Sequence, residues 1–594
     1  KKLVDESPPA AWRFFFGNNM NRHRTLTIIV LATVLLLAGC GAGGQQPSRQ
    51  PSDDWSRGLP VGEGATGSVD FLVEPGGESL YAVWTQVEGE NGRIQFKRLS
   101  PTGLTVAEQS YPMPTNQLRA PRLAQSGEQL HLFWGQRMRG IPDWSLWYVP
   151  LGSDGEMAGE PAQLSTSETD AGDYAVAVAG DGGVVVVWED DNGDAIYGRT
   201  MAEGTPLKLA TGSAPALEAG PDGRLYLAWW NEGIYFAALP EPLAAVEPAL
   251  VADVTRSFGD TEIKPVLSLA GDEAYVFWAV FSQSGLEAGT GRTEFVHFPS
   301  SSPERQTARQ IWLRPEERQE TQAYSSAYAL TELVPYPSTA AGTTRYTGEP
   351  AAADSRGDEL AVVVSFDQEW RQQMQKQMAV VLFAGGEPQG YLPAVKSRGF
   401  SSAGKLASDD DGNLYLLWQE GAGGLNVYYA TTEPAARSEI NALTAADAID
   451  LLLSAFFEGV VGLVFFPLAL VWLAPGLLVL GIYHMRHETE SLDRPVSRLL
   501  LVVGLVVYQI VKILFMPAIL SYVPFSAWLD IGDIAGRILQ IITPVLIFGA
   551  GIVVAEIVRR RRETVSTALY YLAIGGVDAL LTLLVYGVNF SGVF

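Results

Sequence analysis

Through the first three quarters of the chain, short apolar runs recur, each entered from a turn residue and closed by Trp. Leu80-Tyr81-Ala82-Val83, Leu130-His131-Leu132-Phe133, Val184–Val187, Leu225-Tyr226-Leu227-Ala228, Ala274-Tyr275-Val276-Phe277 and Leu414-Tyr415-Leu416-Leu417 end at Trp84, Trp134, Trp188, Trp229, Trp278 and Trp418. A Gly or Asp stands seven residues before each Trp, at Gly77, Gly127, Asp181, Asp222, Gly271 and Asp411, and Gly357 to Val364 is a degenerate further copy. Runs this short, bounded by turn residues, predict buried strands. Each is followed by a second β-rich run: Ile94–Leu99, Leu146–Val149, Ala195–Tyr197, Ile234–Ala237, Phe295–Phe298, Ala379–Phe383 and Val427–Ala430. The unit is a hairpin, with Asn91-Gly92 and Asn192-Gly193 as turn dipeptides.

After residue 448 the pattern changes. Ile449–Tyr483, Leu499–Val523, Ile534–Val558 and Val565–Val588 are apolar for lengths that each span a bilayer core of ~30 Å, which predicts four membrane helices over 449–594. The loop 484–498 carries Arg486, Arg494 and Arg498, and Arg559-Arg560-Arg561-Arg562 follow the third run, whereas 521–533 holds no Lys or Arg but has Tyr522, Phe525 and Trp528. The bias places the arginine-bearing loops inside and the region before residue 449 outside.

Successive Trp intervals of 50, 54, 41 and 49 residues match one four-stranded propeller blade better than one solenoid coil. Seven units predict an all-β, seven-bladed β-propeller over 67–435, followed by the α-helical membrane domain. The interval of 86 residues from Trp278 to Val364 predicts an insertion near 300–345, carrying Arg305, Arg309, Arg314, Glu316, Glu317 and Arg318. Eight blades is the competing count.

The chain opens on Lys1, and its first Met is Met20, followed by Arg22, Arg24 and an apolar run Leu26–Leu37. Residues 1–19 read as an upstream extension and 20–40 as an export signal. The run ends in Leu37-Ala38-Gly39-Cys40, then Gly41-Ala42-Gly43-Gly44 and a polar stretch read as a flexible linker over 41–66. This resembles the lipobox of bacterial lipoproteins, and the resemblance implies that Cys40 becomes an acylated first residue. The competing reading is an uncleaved signal anchor. Cys40 is the only Cys in the chain, so no intramolecular disulfide is available.

The chain has 594 residues and a net charge of −25, too long for one compact domain. Between the signal and residue 448 stand 27 Lys or Arg against 54 Asp or Glu, so the exported region carries the acidity. Such a surface excludes nucleic acid as a partner. The Asp-Gly turns before strand and Trp resemble the Asp-box repeats of sialidase-like propellers, although Asp181, Asp222 and Asp411 stand seven residues before their Trp where the box has five. That family needs Arg, Tyr and acid groups; Arg122, Tyr148 and Glu189 are candidates by type, unmarked by local motif. Catalytic residues are unassigned.

The acidic runs Glu189–Asp194 and Asp409-Asp410-Asp411-Gly412 offer oxygen ligands for a structural Ca2+, but the spacing from Asp190 lacks the EF-hand Gly and Glu, and solvated turns are preferred. Five His and no Cys pair argue against zinc, and no metal site or other cofactor is assigned. Glu458, Lys512 and Asp578 fall at membrane depth, where charge is expensive. They predict an intramembrane ion pair locking helices, in preference to an ion path. The sequence thus reads as a multi-pass membrane lipoprotein with an exported binding, sensory or scaffolding propeller, its partners membrane lipids and a protein or glycan. A sialidase-like glycoside hydrolase is the alternative and an accessory subunit of a membrane transporter or complex the third reading; an enzyme is the less favoured class.

Overall fold

The structure is a computed structural model that describes residues 51–587 apart from 52–53, 75, 167–168, 193, 202–203, 255–262, 282–290, 312–351, 357–358, 371–372, 398, 422–424, 443, 486–491, 493, 525–532 and 563–564. The signal region, Cys40 and most of the expected insertion lie outside the described residues. Its strands form five antiparallel sheets of four and one of seven, each four-stranded sheet an up-and-down meander in chain order. The seven-stranded sheet is two such groups sharing Leu59–Val73: Leu59 and Pro60 pair with Tyr429 and Tyr428, whereas Val69–Val73 pair with Trp84–Leu80.

The first strands of the groups are Leu59–Val73, Leu118–Ser126, Ala171–Val178, Ser213–Ala219, Val266–Ala270, Ala352–Arg356 and Ser401–Ser408. Each packs beside the next, and Ser401–Ser408 packs back on Leu59–Val73, so they surround one axis. The hydrophobic clusters follow the same cycle. Each is built from two consecutive groups, ending with Phe71 and Trp84 of the first group against Tyr415 and Tyr429 of the last.

The repeated Trp lies inside the second strand of its group, which runs one to four residues beyond it, and all six are at most 2% exposed. Register explains their companions: Trp134, Trp188, Trp229 and Trp418 oppose Trp147, Tyr197, Tyr235 and Tyr428 and stack on them with centroids 5.6 to 6.4 Å apart. Cross-strand aromatic pairs of this kind stabilise a sheet beyond area burial. Two of the Asp-Gly turns are Asx turns: Asp181 Oδ1 accepts Gly183 N at 2.7 Å and Asp222 Oδ1 accepts Arg224 N at 3.1 Å, with φ 85° at Gly182 and 79° at Gly223.

Three boundaries differ from the sequence reading. Residues 59–66, read as linker, are strand; their glycines masked the alternation, and Gly62 is required because a Cβ there would stand 2.4 Å from the Trp84 ring. Arg309–Ile311, read as insertion, is the fourth strand of its sheet. The first hairpin turns at Gly89-Glu90, with Glu88 opposite Asn91, so Asn91-Gly92 opens the next strand.

Past Thr431 come α1 (Pro434–Ile440), α2 (Ala445–Val464), α3 (Ala469–His484), α4 (Pro495–Phe515), α5 (Ala518–Ser521), α6 (Asp533–Arg560) and α7 (Thr567–Tyr586). Among the described residues, four helical segments are long and apolar enough to cross a membrane: Phe466–His484, Pro495–Phe515, Ile534–Arg560 and Thr567–Tyr586. The single helix expected over 449–483 is two. It breaks at a 3-10 turn, Phe466–Leu468, where Pro467 cannot donate a helical hydrogen bond. The second ends at Phe515, two residues before Pro517. The helices share a core of Trp472, Leu473, Tyr508, Tyr571 and Leu583.

Candidate functional site

At the axis, three first strands present charge at one register. Asp70 opposes Val83, Arg122 opposes Phe133 and Lys405 opposes Leu417, each partner standing just before the repeated Trp. A register shift upstream, between Ala65 and Val69, Arg119 and Arg122, and Ser402 and Lys405, bulges each strand; Ala120 and Ala403 take φ 44° and 51°. Bulges re-aim side chains. Arg122 Nη1 lies 3.3 Å and Lys405 Nζ 4.0 Å from Asp70 Oδ1, while Asp70 Oδ2 accepts Leu123 N at 2.8 Å.

Two cations therefore share one carboxylate. Burial, followed by repulsion from Arg122, pulls the Lys405 ammonium down to about 7 against the opposing effect of Asp70. The Arg122 side chain is 34% exposed, yet its Nε is buried without a hydrogen-bond partner. Tyr174 lies beside this group, its hydroxyl donating to Ala120 O.

A second cluster gathers acids. Glu189 Oε1 accepts Asp173 N at 2.6 Å and Oε2 accepts Ala214 N at 2.5 Å, so one carboxylate clasps the first strands of two consecutive sheets. Gln419, on the strand Leu414–Glu420, donates to Gly67 O of Leu59–Val73. Burial outweighs the two backbone donors and raises Glu189 to about 7. Asp191 is raised too, first by burial; a Cβ on Gly172 would stand 2.2 Å from Glu189 Oε1 and 2.4 Å from Asp191 Oδ1. Lys264 Nζ lies 2.5 Å from Asp173 Oδ2. Trp144 is flanked by guanidinium groups, with Arg119 4.3 Å and Arg137 4.9 Å from its ring centroid.

The acid cluster lies at the end of the sheets where first strands begin, at Asp173 and Ala214, whereas Arg122 and Lys405 of the axial trio stand mid-strand. The chain leaves for α1 at the opposite end, since Thr432 N donates to Leu414 O beside the Asp409–Gly412 turn.

Arg122, Tyr148 and Glu189 are not brought together. Arg122 binds Asp70, Glu189 is a backbone clasp, and the Tyr148 hydroxyl lies 3.1 Å from His131 Nδ1. Among the described residues, no group of three or more His, Cys, Asp or Glu is placed to hold a metal. Of the charges on apolar segments, Lys512 Nζ lies 2.5 Å from Asp578 Oδ2, which also accepts the Tyr508 hydroxyl at 2.5 Å; both ionic side chains are at most 2% exposed. Glu458 is on α2, ahead of the helix break, and its side chain lies outside the described residues.

Asp70 and Lys405 escaped the sequence reading. Their signal is a lone charge in an otherwise apolar strand ahead of the Gly or Asp turn, in Val69-Asp70-Phe71-Leu72 and Gly404-Lys405-Leu406-Ala407.

No family model and no curated protein matches the chain. Solved structures resemble it remotely. The GH43_1 enzyme from Xanthomonas citri complexed with xylose is 14% identical, with a TM-score of 0.27 over 42% of this chain and 94% of that one. The endo-arabinase from Bacteroides thetaiotaomicron is 10% identical, with a TM-score of 0.27 over 62% and 95%. Polysaccharide lyase Uly1 is 12% identical, with a TM-score of 0.37 over 61% and 89%. Likenesses this remote carry neither an activity nor a site to this chain.

Proposed function

We propose that the chain is a membrane-anchored, extracytoplasmic binding module for a ligand bearing a carboxylate or similar anionic group. In this reading the sheets are blades of a seven-bladed β-propeller, with Leu59–Val73 shared by the last blade and the first. Cys40 carries the lipid and the four apolar helices are the membrane spans. The observation that carries it is the axial trio: two basic side chains, Arg122 and Lys405, share the one carboxylate of Asp70, and Arg122 Nε is buried without a hydrogen-bond partner. An anionic ligand would complete that pairing, with Arg122 offering the planar donor set suited to a carboxylate.

The test is thermal unfolding of the detergent-solubilised full chain with glucuronate, inorganic phosphate or glucose. Anions should raise the midpoint, glucose should not, and Arg122→Gln should abolish the rise. A midpoint indifferent to both anions would defeat the reading.

A glycoside hydrolase is the second reading, favoured by Glu189, whose carboxyl is raised to about 7 beside Asp191, in the range of a general acid. Against it, both Glu189 oxygens are occupied by backbone N–H groups. Release of nitrophenol from nitrophenyl glycosides, lost in Glu189→Gln, would establish this reading in place of the first.

A further inference from the structure

Between the ectodomain and the first candidate span stands α2, a 20-residue helix whose apolar residues are interrupted by three acids, Asp447, Asp450 and Glu458. Ile449, Leu452, Leu453, Phe456 and Val464 are exposed large hydrophobics, Leu452 at 71%. At 100° per residue, positions 449, 452, 453, 456 and 464 share one side of the helix, whereas Asp447, Asp450, Ser454 and Glu458 fall on another. The segment is amphipathic, and its three acids set it apart from the four helical segments able to cross a membrane.

Its two ends are fixed. At the start, Thr444 and Asp447 form a capping box, and Arg57 Nη1 of the ectodomain lies 2.8 Å from Asp447 Oδ1. At the finish, Gly459 and Gly462 pass against the end of α7: a Cβ on Gly462 would stand 2.1 Å from Leu583 O, and one on Gly459 would be 3.1 Å from Leu584 Cδ1. The helix therefore runs from the base of the ectodomain to the margin of the bundle. Phe466, Leu468 and Leu470, which follow at the start of the first span, are exposed too.

Charge decides between lying and crossing. Four spans put the α3–α4 and α6–α7 connections, flanked by Arg494, Arg498 and Arg559–Arg562, on the face opposite the α2–α3 turn. Were α2 a fifth span, the ectodomain would share the arginine-rich side, contrary to the positive-inside bias for an exported region.

We propose that α2 is an interfacial helix that lies on the lipid surface at the foot of the ectodomain, its Leu452–Phe456 side in the acyl boundary and its acidic side toward water. Amphipathic helices of this kind bury their apolar side by about 5–10 Å. The arrangement seats the ectodomain on the bilayer through a lipid contact next to the Arg57 clamp. It is independent of what the axial site binds.

The experiment uses the full chain with Cys40→Ser, reconstituted in phosphatidylcholine vesicles, with single cysteines spin-labelled at 450, 452, 454, 456 and 464. Collisions with oxygen should exceed those with an aqueous nickel chelate at 452, 456 and 464, by several-fold relative to 450 and 454, with one shallow depth shared by the apolar positions. Depth passing through the bilayer centre between 450 and 464 would overturn the proposal in favour of a span. Nickel access on all sides would overturn it in favour of an unburied helix. Dipolar broadening at 452 and 456 would overturn it in favour of a second copy of this chain.

Discussion

Arg57 Nη1 stands 2.8 Å from Asp447 Oδ1, so the residue just ahead of the shared strand Leu59–Val73 is tied to the first turn of α2. The same side chain donates from Nε to Ile440 O at 2.7 Å, and its backbone N–H reaches Asn441 Oδ1 at 2.8 Å. Ring closure and the exit toward the helices thus share one residue. The guanidinium holds the Asp447 carboxyl at about 2, so stabilisation is present above about pH 4 and is lost as pH falls through 2.

Arg57→Gln should therefore loosen the junction more than the ring. We expect faster proteolytic cleavage between 441 and 447 at neutral pH, and a coupling with Asp447→Asn of about 1 kcal/mol for this partly exposed pair. Unchanged cleavage, with additive single effects, would show the clamp to be incidental.

The pH dependence of the β-sheet region should have two limbs of opposite sign. Glu189 is raised to about 7, so between its ordinary value and 7 only the unfolded chain ionises, and stability declines as pH rises. Lys405 is lowered to about 7, so above 7 the unfolded chain holds the extra proton and stability recovers with rising pH. The lower limb amounts to at most about 3 kcal/mol and the upper to at most about 5 kcal/mol. Unfolding midpoints from Trp fluorescence at pH 5, 7 and 10 should show the dip; Glu189→Gln should flatten the lower limb and Lys405→Met the upper. A profile unaltered by both substitutions would contradict the assignment.

What was legible depended on how local the cause is. The Trp repeat could be read because turn, buried strand and Trp lie within eight consecutive residues and share one burial requirement. The axial trio could not, since Asp70 and Lys405 meet only after the ring closes. Residues 59–66 were misread because a strand with Gly62 and Gly64 has no side chains there to alternate; one of the glycines exists to admit Trp84. The break ahead of α3 was hidden in an unbroken apolar run, with Pro467 its only mark, and that break moved Glu458 off the first span.

Trp229 tests the inter-sheet core. It is 1% exposed, stacks on Tyr235 at 5.7 Å and donates from Nε1 to Thr211 O at 3.1 Å. Trp229→Ala should cost about 3–5 kcal/mol, and Asn192→Ala in an exposed turn about 1 or less, in denaturant unfolding of the full chain. Equal small losses would remove the Trp from the core.

Cys40 is the test of lipid attachment. Its place at the end of Leu37-Ala38-Gly39-Cys40 leads us to expect that Cys40→Ser abolishes incorporation of labelled palmitate, while the four apolar helices keep the chain in the membrane fraction. Labelling that survives the substitution would exclude acylation at this residue.

The pair of Lys512 and Asp578 can be separated from mere proximity by its non-additivity. Asp578 Oδ2 receives both Lys512 Nζ and the Tyr508 hydroxyl, and neither ionic side chain is more than 2% exposed, so removing one partner strands the other's charge in an apolar core. Lys512→Met or Asp578→Leu alone should each lower stability by about 3–5 kcal/mol. The double variant Lys512→Met, Asp578→Leu replaces an ion pair by apolar contact and should be milder than the worse single change. Glu458→Leu stands on the far side of the helix break and should add independently to Lys512→Met. Thermal unfolding in detergent of the singles and both doubles decides it: strict additivity for Lys512 with Asp578 would mean that these charges do not lock α4 to α7.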